Sequence, residues 1–230
     1  ETNETIFNIL KTKWKQKLKR TFIYDLYKKT KKKNGIEIQP SIIVDDCKKG
    51  WKYEESYIKK INELLKCEKN CSNLVFLYSH CGGQFNVKPG TFTEKIIASL
   101  DRNNYDGYIG AHPHIVQEMK FQNNKMIAYS LGNFLIYPKS PYLRNETLPT
   151  YGILLHLNID TEYPNNYFYT FSITKCVIEN GKVKILLVSD LLEKVNTKEK
   201  QKLTKECLNI YNRFMGTNKK RIKLKKEYKI

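Results

Sequence analysis

Three of the four histidines in the chain follow two short apolar segments that are predicted to be strands. His80 comes after segment 74–78, and His112 and His114 come after segment 107–110. Because the carboxyl ends of neighbouring strands meet at one edge of an α/β sheet, we expect the three imidazoles to face one point. Neutral imidazoles suit transition-metal ions, whereas Mg²⁺ and Ca²⁺ prefer oxygen ligands. The pattern therefore predicts a metal site; the alternative is three core or turn histidines bonded to backbone groups.

The residues around these histidines indicate loops that allow close approach of a ligand. Gly82 and Gly83 follow His80, and glycine permits backbone conformations that other residues avoid. Pro113 separates the other two histidines and stiffens their loop, since its ring fixes φ. The fourth histidine, His156, alternates with leucines inside a predicted strand, which favours a structural role.

Other catalytic chemistries are poorly supported by the sequence. The GxxxxGK[ST] and GxGxxG phosphate-binding patterns and the GxSxG nucleophile motif are absent. Cys81 adjoins His80, but adjacent side chains of an extended segment point in opposite directions, so a cysteine hydrolase is not indicated. Cys67 and Cys71 are spaced like half of a zinc site, yet no second Cys or His pair follows at the usual interval. The six cysteines form no compact disulfide framework, so reduced thiols are expected.

Hydrophobic periodicity predicts the elements that must position the histidines. Helices are predicted at 6–26, 57–65, 92–100 and 197–214. Strands are predicted at 36–44, 74–78, 107–110, 115–121, 126–129, 151–159, 168–178 and 183–188. The order, αβαβ followed by antiparallel strands, predicts an α/β (α+β) fold with helices layered around one sheet system.

The charge of the chain is concentrated at its ends. The 230 residues carry a net charge of +18. Segment 1–33 contains 11 basic and 3 acidic residues, and segment 216–230 contains 7 basic residues and 1 acidic residue. Solvated lysine-rich ends are the favoured interpretation, and docking of the first helix on the domain is favoured over an anionic membrane surface. We expect a basic helix and linker at 1–35, a domain at 36–215 and a basic tail at 216–230.

Two sequence features bear on the compartment. No run approaches the roughly 18 apolar residues that span a bilayer, and no secretion leader opens the chain. Reduced cysteines favour the cytoplasm.

Three ordered motifs resemble a known family. They are Ser79-His80-Cys81-Gly82-Gly83-Gln84-Phe85-Asn86 with Pro89-Gly90, then Gly110-Ala111-His112-Pro113-His114-Ile115-Val116-Gln117, then Tyr129-Ser130-Leu131-Gly132-Asn133-Phe134. In order and spacing they resemble the poly-γ-glutamate capsule-synthesis, or CapA-type, family of bacteria. The motifs cover 74–136, and weaker similarity extends from about 45 to about 188. This resemblance implies a peripheral position at the bacterial cell envelope, whereas the cysteines favour the cytoplasm, and both localisations stay open.

The resemblance implies a metallophosphatase-like layered αββα sandwich with a two-metal cleft at the strand ends. By similarity, His80, His112 and His114 would bind Mn, Fe or Zn, and His80, His112 and Asn133 would serve catalysis. Asn133 would lie near the cleft as a hydrogen-bonding residue, with a simple turn asparagine as the alternative. The implied substrate or loop residues are Gly82, Gly83, Gln84, Asn86 and Ser130. Many relatives have Glu-Tyr where this chain has Gln84-Phe85, so an acid/base role there is not expected.

One departure from the family concerns carboxylates. Metallophosphatase-like proteins draw a bridging aspartate, a second aspartate and an Asn-His pair from an amino-terminal half, and Asp45 and Asp46 do not stand in a matching context. Without a bridging carboxylate, three histidines cannot hold two ions. We therefore expect a carboxyl-terminal half, incomplete at the amino-terminal side.

Two function hypotheses follow. The first is a capsule-biosynthesis protein that acts as a metal-dependent, phosphoesterase-like hydrolase on a phosphorylated or amide-linked anionic substrate, with a metal-activated water as nucleophile. The second is a degenerate fragment or a non-catalytic module whose basic ends bind an anionic polymer, a membrane surface or, least expected, nucleic acid. The second predicts binding that weakens with salt and is indifferent to chelators.

Overall fold

The computed structural model describes residues 55–140, 143, 145–164 and 166–230. The predicted helix at 6–26, the predicted strand at 36–44 and the pair Asp45 and Asp46 lie outside these residues.

Helices and strands alternate in the first half of the described chain, and strands dominate the second half. The helices are α1 (Glu55–Cys71), α2 (Thr91–Ser99), α3 (Val188–Lys194) and α4 (Thr197–Met215). The strands are β1 (Phe76–Ser79), β2 (Gly107–Gly110), β3 (Met119–Gln122), β4 (Lys125–Ala128), β5 (Tyr151–Ile159), β6 (Tyr167–Glu179), β7 (Lys182–Leu187) and β8 (Tyr228–Lys229). Short 3-10 turns occupy Arg102–Asn104 and Asn145–Thr147.

The first sheet carries the histidines and has the strand order β1-β2-β4-β3. Strands β1, β2 and β4 are parallel, and β3 returns antiparallel to β4 through Asn123 and Asn124. Both asparagines have positive φ, which asparagine tolerates better than most residues. Leu65 of α1 and Ile97 of α2 pack with Tyr108 and its buried neighbours, so the helices cover one face of the sheet. The carboxyl ends of β1 and β2 consequently lie side by side.

The second sheet is antiparallel, with the order β5-β6-β7 and with β8 also paired to β6. Phe171 of β6 is fully buried, and its ring contacts those of Phe214 in α4 and Tyr228 in β8. Tyr169, two residues earlier on the same strand face, contacts Phe76 of the first sheet. One core therefore joins both sheets and α4, and the predicted α/β layering is confirmed.

Several boundaries differ from the sequence prediction, and one helix was not predicted. Segment 115–118 is not strand: it makes one isolated bridge, Val116 to Leu131, and β3 begins only at Met119. The strand predicted to reach Val188 ends at Leu187, because the chain turns there into helix α3. Helix α3 has only seven residues, and its buried Val188, Leu191 and Leu192 are too few for hydrophobic periodicity to predict a helix.

The basic tail is packed onto the domain. Ile222, Leu224 and Ile230 lie against the main core, and β8 pairs with β6. The lysine and arginine side chains of the tail therefore extend from a backbone whose position is fixed by packing and strand pairing. Over the described residues, no helix has the length and apolarity needed to cross a membrane.

Candidate metal centre

Three imidazoles converge at the carboxyl ends of β1 and β2. One nitrogen from each of His80, His112 and His114 can be chosen so that all three atoms lie within 4.8 Å of one another. The ring centroids of His80 and His112 are 4.7 Å apart, and that of His114 lies 6.0 Å from His80 and 5.9 Å from His112. His80 is exposed and the other two are half-buried, so the cluster opens to solvent on one side.

Parallel pairing of β1 with β2 brings the two histidine loops together. Ser79 is in register with Gly110, and the amide of Ala111 donates to the carbonyl of Ser79 over 3.1 Å. A Cβ atom on Gly110 would lie 2.1 Å from the carbonyl oxygen of Tyr129, so only glycine allows this close approach to the chain beyond β4. His80 is one residue beyond Ser79, and His112 is two residues beyond Gly110. The close packing of these strand ends therefore places both histidines at the same sheet edge.

A further contact fixes the loop that carries the histidine pair. The amide of Phe85 donates to the carbonyl of Pro113 over 2.8 Å, which ties the loop after His80 to the loop between His112 and His114. His114 and Phe85 both have φ of 56°, a left-handed conformation that is uncommon outside glycine. Backbone of this kind persists where surrounding contacts enforce it, and it often occurs at functional sites.

Asn133 holds the ring of His114 through a network that fixes the roles of its atoms. Its Nδ2 donates to the carbonyls of His114, over 2.7 Å, and of Pro149, over 2.8 Å. Carbonyls only accept, so Nδ2 must face them and Oδ1 faces Nδ1 of His114 at 2.9 Å. Because Oδ1 also only accepts, Nδ1 must carry the proton. The Nε2 atom of His114 is then left with its lone pair available to a metal ion.

The donor set fits one transition-metal ion. Two nitrogens bound at about 2.1 Å to a tetrahedral ion are about 3.4 Å apart, so the three imidazoles would have to move inward to bind one ion. No carboxylate joins the three histidines within the described part of the chain. Three neutral nitrogen donors are typical of catalytic zinc sites and of related transition-metal sites, which keep a further position open.

The other predicted site residues line or support the two loops. Gly82 has φ of 116°, a conformation reserved for glycine, and Gly83 is buried while Gln84 is half-buried. The carbonyl of Asn86 accepts a hydrogen bond from Gln117. Ser130 is fully buried, and its hydroxyl accepts from the amide of Gly132, next to Asn133. Asn86 and Ser130 therefore shape the backbone around the histidines.

Gln117 is a supporting residue that sequence reasoning did not single out. It is 1% exposed, and its Nε2 donates to the carbonyl of Asn86 over 2.7 Å. The contact joins the chain after His114 to the loop after His80. The available signal was an amide side chain directly after the apolar pair Ile115 and Val116, where a buried polar group needs a partner.

The remaining candidates lie elsewhere. Cys81 accepts a hydrogen bond from the hydroxyl of Ser79 over 3.1 Å and lies 3.4 Å from the hydroxyl of Tyr108. The pKa of Tyr108 is raised, mainly by burial and to a smaller extent by the nearby Cys81, so its phenol stays neutral. Cys67 and Cys71 are exposed free thiols on α1, outside the histidine cluster. His156 bonds the hydroxyl of Ser172 within the second sheet, in line with a structural role.

The described residues form a layered α/β fold with three histidines at the ends of its first two strands. The family model described as "Bacterial capsule synthesis protein PGA_cap" matches residues 5–137, more than half of the chain. The chain belongs to this bacterial capsule-synthesis family, which is metallophosphatase-like.

Two curated relatives carry matching names. "Capsule biosynthesis protein CapA" of Bacillus anthracis is 30% identical over 78 residues, which cover 34% of this chain and 19% of that protein. "PGA biosynthesis protein CapA" of Bacillus subtilis (strain 168) is 26% identical over 99 residues, which cover 43% of this chain and 25% of that protein. The matched region thus spans a quarter or less of the length of either relative.

Proposed function

We propose that this capsule-synthesis family member binds one divalent transition-metal ion, Mn, Fe or Zn, through His80, His112 and His114. We further propose that the loaded site hydrolyses a phosphorylated anionic substrate. The observation that carries the proposal is the convergence of three imidazole nitrogens within 4.8 Å at one sheet edge. A core role explains one such ring more readily than three rings of which one is exposed.

The residues of the site have two roles in this proposal, metal binding and orientation of the ligands. The three imidazoles would supply the ligand nitrogens, and Asn133 orients His114 with Nε2 toward the cluster. A bound ion supplies Lewis-acid chemistry, activating water and neutralising the charge of phosphoryl oxygens. The exposed side of His80 leaves a path for substrate, and Gly82 and Gly83 let the adjoining backbone come close to it.

The metal site is tested first by binding. Chain freed of metal with a chelator is titrated with Mn²⁺ or Zn²⁺ in a calorimeter. One ion per chain is expected, and His112→Ala is expected to weaken binding at least tenfold, since removing one of three ligands is more severe than removing a supporting group. His156→Ala, a histidine outside the cluster, serves as the matched control and should bind like the wild type. Unchanged binding by His112→Ala would refute the ligand assignment.

The hydrolase activity needs a separate readout. Release of nitrophenol from bis-p-nitrophenyl phosphate should depend on added metal, stop with chelator and be lost in His112→Ala while His156→Ala stays active. Metal binding without any such activity would support the metal site and reject the hydrolase proposal.

A further inference from the structure

Helix α1 presents a second apolar face to solvent. Its inward face carries Ile58 and Leu65, which are buried in the domain. Tyr57 and Leu64, by contrast, are 62% and 64% exposed. Cys71, seven positions beyond Leu64, is also exposed. Residues seven positions apart lie on the same side of a helix, so Tyr57, Leu64 and Cys71 form one line on the surface of α1.

A fourth residue completes this line. Cys67, three positions beyond Leu64, is exposed and is its neighbour on the helix surface. Tyr57, Leu64, Cys67 and Cys71 together form the α1 stripe. Spacing by seven and by three residues is the pattern with which one helix packs along another. The α1 stripe therefore has the form of a contact surface for a second helix.

The helix that carries the stripe is fixed to the domain. Nδ2 of Asn62 donates to the carbonyl of Ser99 over 3.1 Å, and its Oδ1 accepts from the amide of Asp101 over 2.8 Å. Near the end of α1, Lys69 donates to Asp106 over 2.7 Å. The stripe is thus a preformed surface, and a partner that binds it does not have to order the helix.

The charges beside the stripe are arranged about Leu64. Lys60 lies four positions before Leu64 and Glu68 four positions after it, so each is about 6 Å from it along the helix axis. The ammonium of Lys60 lies 5.8 Å from the centre of the Tyr57 ring and so borders the stripe. Both charged residues are exposed, and within the described part of the chain neither forms an ion pair. Each is available to a partner.

This arrangement complements a second copy of itself. A twofold interface uses the same surface on both copies, so that surface must be self-complementary. In an antiparallel pair centred on Leu64, Lys60 of each copy lies level with Glu68 of the other, and Tyr57 lies level with Cys71. In a parallel pair Lys60 would face Lys60, and like charges repel.

We propose that two copies of this chain associate through antiparallel packing of their α1 stripes, centred on Leu64. Helix α1 has 17 residues and is about 25 Å long, so one helix pair buries less than the roughly 1,600 Å² of a standard interface. The dimer is therefore weak and forms at high protein concentration. None of the stripe residues belongs to the histidine cluster, so association should be the same with chelator and with added metal.

Disulfide cross-linking of the full chain tests the geometry. The reference protein carries Cys47→Ser, Cys67→Ser and Cys71→Ser, and Leu64→Cys is added to it. Oxidation with copper phenanthroline should convert most of this variant to a species of twice the chain mass, because the two new thiols meet at the centre of the pair. Lys66→Cys in the same reference is the matched control. Position 66 is exposed on another side of α1, so this variant should cross-link no more than the reference protein.

The native cysteines distinguish the two orientations. In the antiparallel pair the two Cys71 residues are fourteen positions apart, about 21 Å along the helix axis, and the two Cys67 residues are six positions apart, about 9 Å. Both separations are too long for a disulfide. A chain changed only by Cys47→Ser should therefore stay uncross-linked. Cross-linking of that chain as efficient as that of Leu64→Cys would overturn the proposal, and so would equal cross-linking of Leu64→Cys and Lys66→Cys.

Charge reversal tests the pairing without a covalent bond. In sedimentation equilibrium, Lys60→Glu and Glu68→Lys should each weaken association about fivefold, since each dimer loses two attractive pairs of exposed charges. The double variant Lys60→Glu/Glu68→Lys restores opposite charges and keeps the net charge of +18, so it should associate like the wild type. Both residues are exposed, so the variants should fold. A wild-type chain that stays monomeric at high concentration, or a double variant that does not recover, would overturn the proposal.

Discussion

The Oδ1 atom of Asn133 lies 2.9 Å from Nδ1 of His114, a residue 19 positions earlier in the chain. The donor of this hydrogen bond is fixed. Nδ2 of Asn133 already donates to the carbonyls of His114 and Pro149, so Oδ1 faces His114 and accepts the proton of Nδ1. Asn133 is 8% exposed, so it is a positioning residue that acts on the cluster through His114. This role refines the catalytic role that the family resemblance implies for it.

Replacing Asn133 with alanine should weaken metal binding about tenfold or more, the usual effect of losing a group that orients a metal-bound histidine. The reason is that His114 would lose the acceptor that keeps its proton on Nδ1. Nitrogen-15 NMR of the metal-free imidazoles should report a mixed tautomer for His114 in the variant and the Nδ1-protonated form in the wild type.

His156 provides the internal control, because its spectrum should not change. Asn133→Asp keeps the acceptor for His114 but loses the donors to the two carbonyls, so it should retain the tautomer while lowering thermal stability. A wild-type tautomer in Asn133→Ala would contradict the positioning role.

Gly110→Ala should destabilise the domain by about 3 kcal/mol, because overpacking against rigid backbone is costly. The new Cβ would lie 2.1 Å from the carbonyl oxygen of Tyr129. Denaturant unfolding measures the effect. Gly181→Ala is the matched control: its Cβ meets nothing within 4 Å, and only its positive φ opposes the change, so a loss of about 1 kcal/mol is expected. Equal losses at the two positions would contradict the close-approach argument.

Much of the sheet framework could be predicted from local pattern. The bounds of β2 and β5 agree with the sequence prediction, because apolar runs there end at glycine or at turn residues. The convergence of His80 with the later pair followed from the rule that parallel strand ends share an edge, and the β1–β2 pairing is parallel. Whether those histidines bind metal stays a prediction.

Long-range contacts could not be predicted in the same way. The bond between Asn133 and His114 depends on the path of the loop after β4, which no periodicity encodes. The packing of the tail depends on pairing between Tyr228 and Phe171, 57 positions apart in the sequence. The composition of the tail indicated only solvated charge, because its apolar residues alternate with lysines and gain a role only from the sheet they reach.

Asp106 should stabilise the fold more at neutral pH than in acid. Burial acts to raise its pKa, but hydrogen bonds from Lys69 and from the amide of Val75 outweigh burial and hold the pKa below its ordinary value. The carboxylate joins the end of α1 to the start of β1, and Lys125 of β4 lies 3.4 Å away. A group with a lowered folded pKa contributes fully above its unfolded pKa of about 3.9, and this contribution is lost as pH falls through the folded value.

Asp106→Asn should therefore cost about 2 kcal/mol of unfolding free energy near pH 7, as expected for loss of charged hydrogen bonds in a buried site. The difference from the wild type should stay constant down to about pH 5 and shrink below about pH 4. Urea unfolding across this range measures it. The exposed Asp190→Asn should change little at any pH. A stability loss in Asp106→Asn that increases as the pH falls would contradict the lowered pKa of Asp106.

Lys175, Glu206 and Tyr151 should behave as one coupled unit. Lys175 donates to Glu206 and to the hydroxyl of Tyr151, each over 2.8 Å, and Tyr151 donates to Glu206 over 2.6 Å. Burial acts to raise the pKa of Glu206, but the bonds from Lys175 and Tyr151 outweigh it and lower the pKa. The three side chains connect β5 and β6 to α4. Each of them forms hydrogen bonds with the other two, so removing one leaves each of the others without one of its partners.

A double-mutant cycle tests this coupling. Glu206→Gln leaves a largely buried ammonium without its counter-charge and should cost about 2 kcal/mol, and Lys175→Met should cost a similar amount for the opposite reason. The double variant removes both charges and should cost clearly less than the sum of the single changes, because neither leaves an unpaired ion. Chemical denaturation of the four proteins measures the cycle. Strict additivity would mean that the pair contributes no interaction energy to the attachment of α4 to the second sheet.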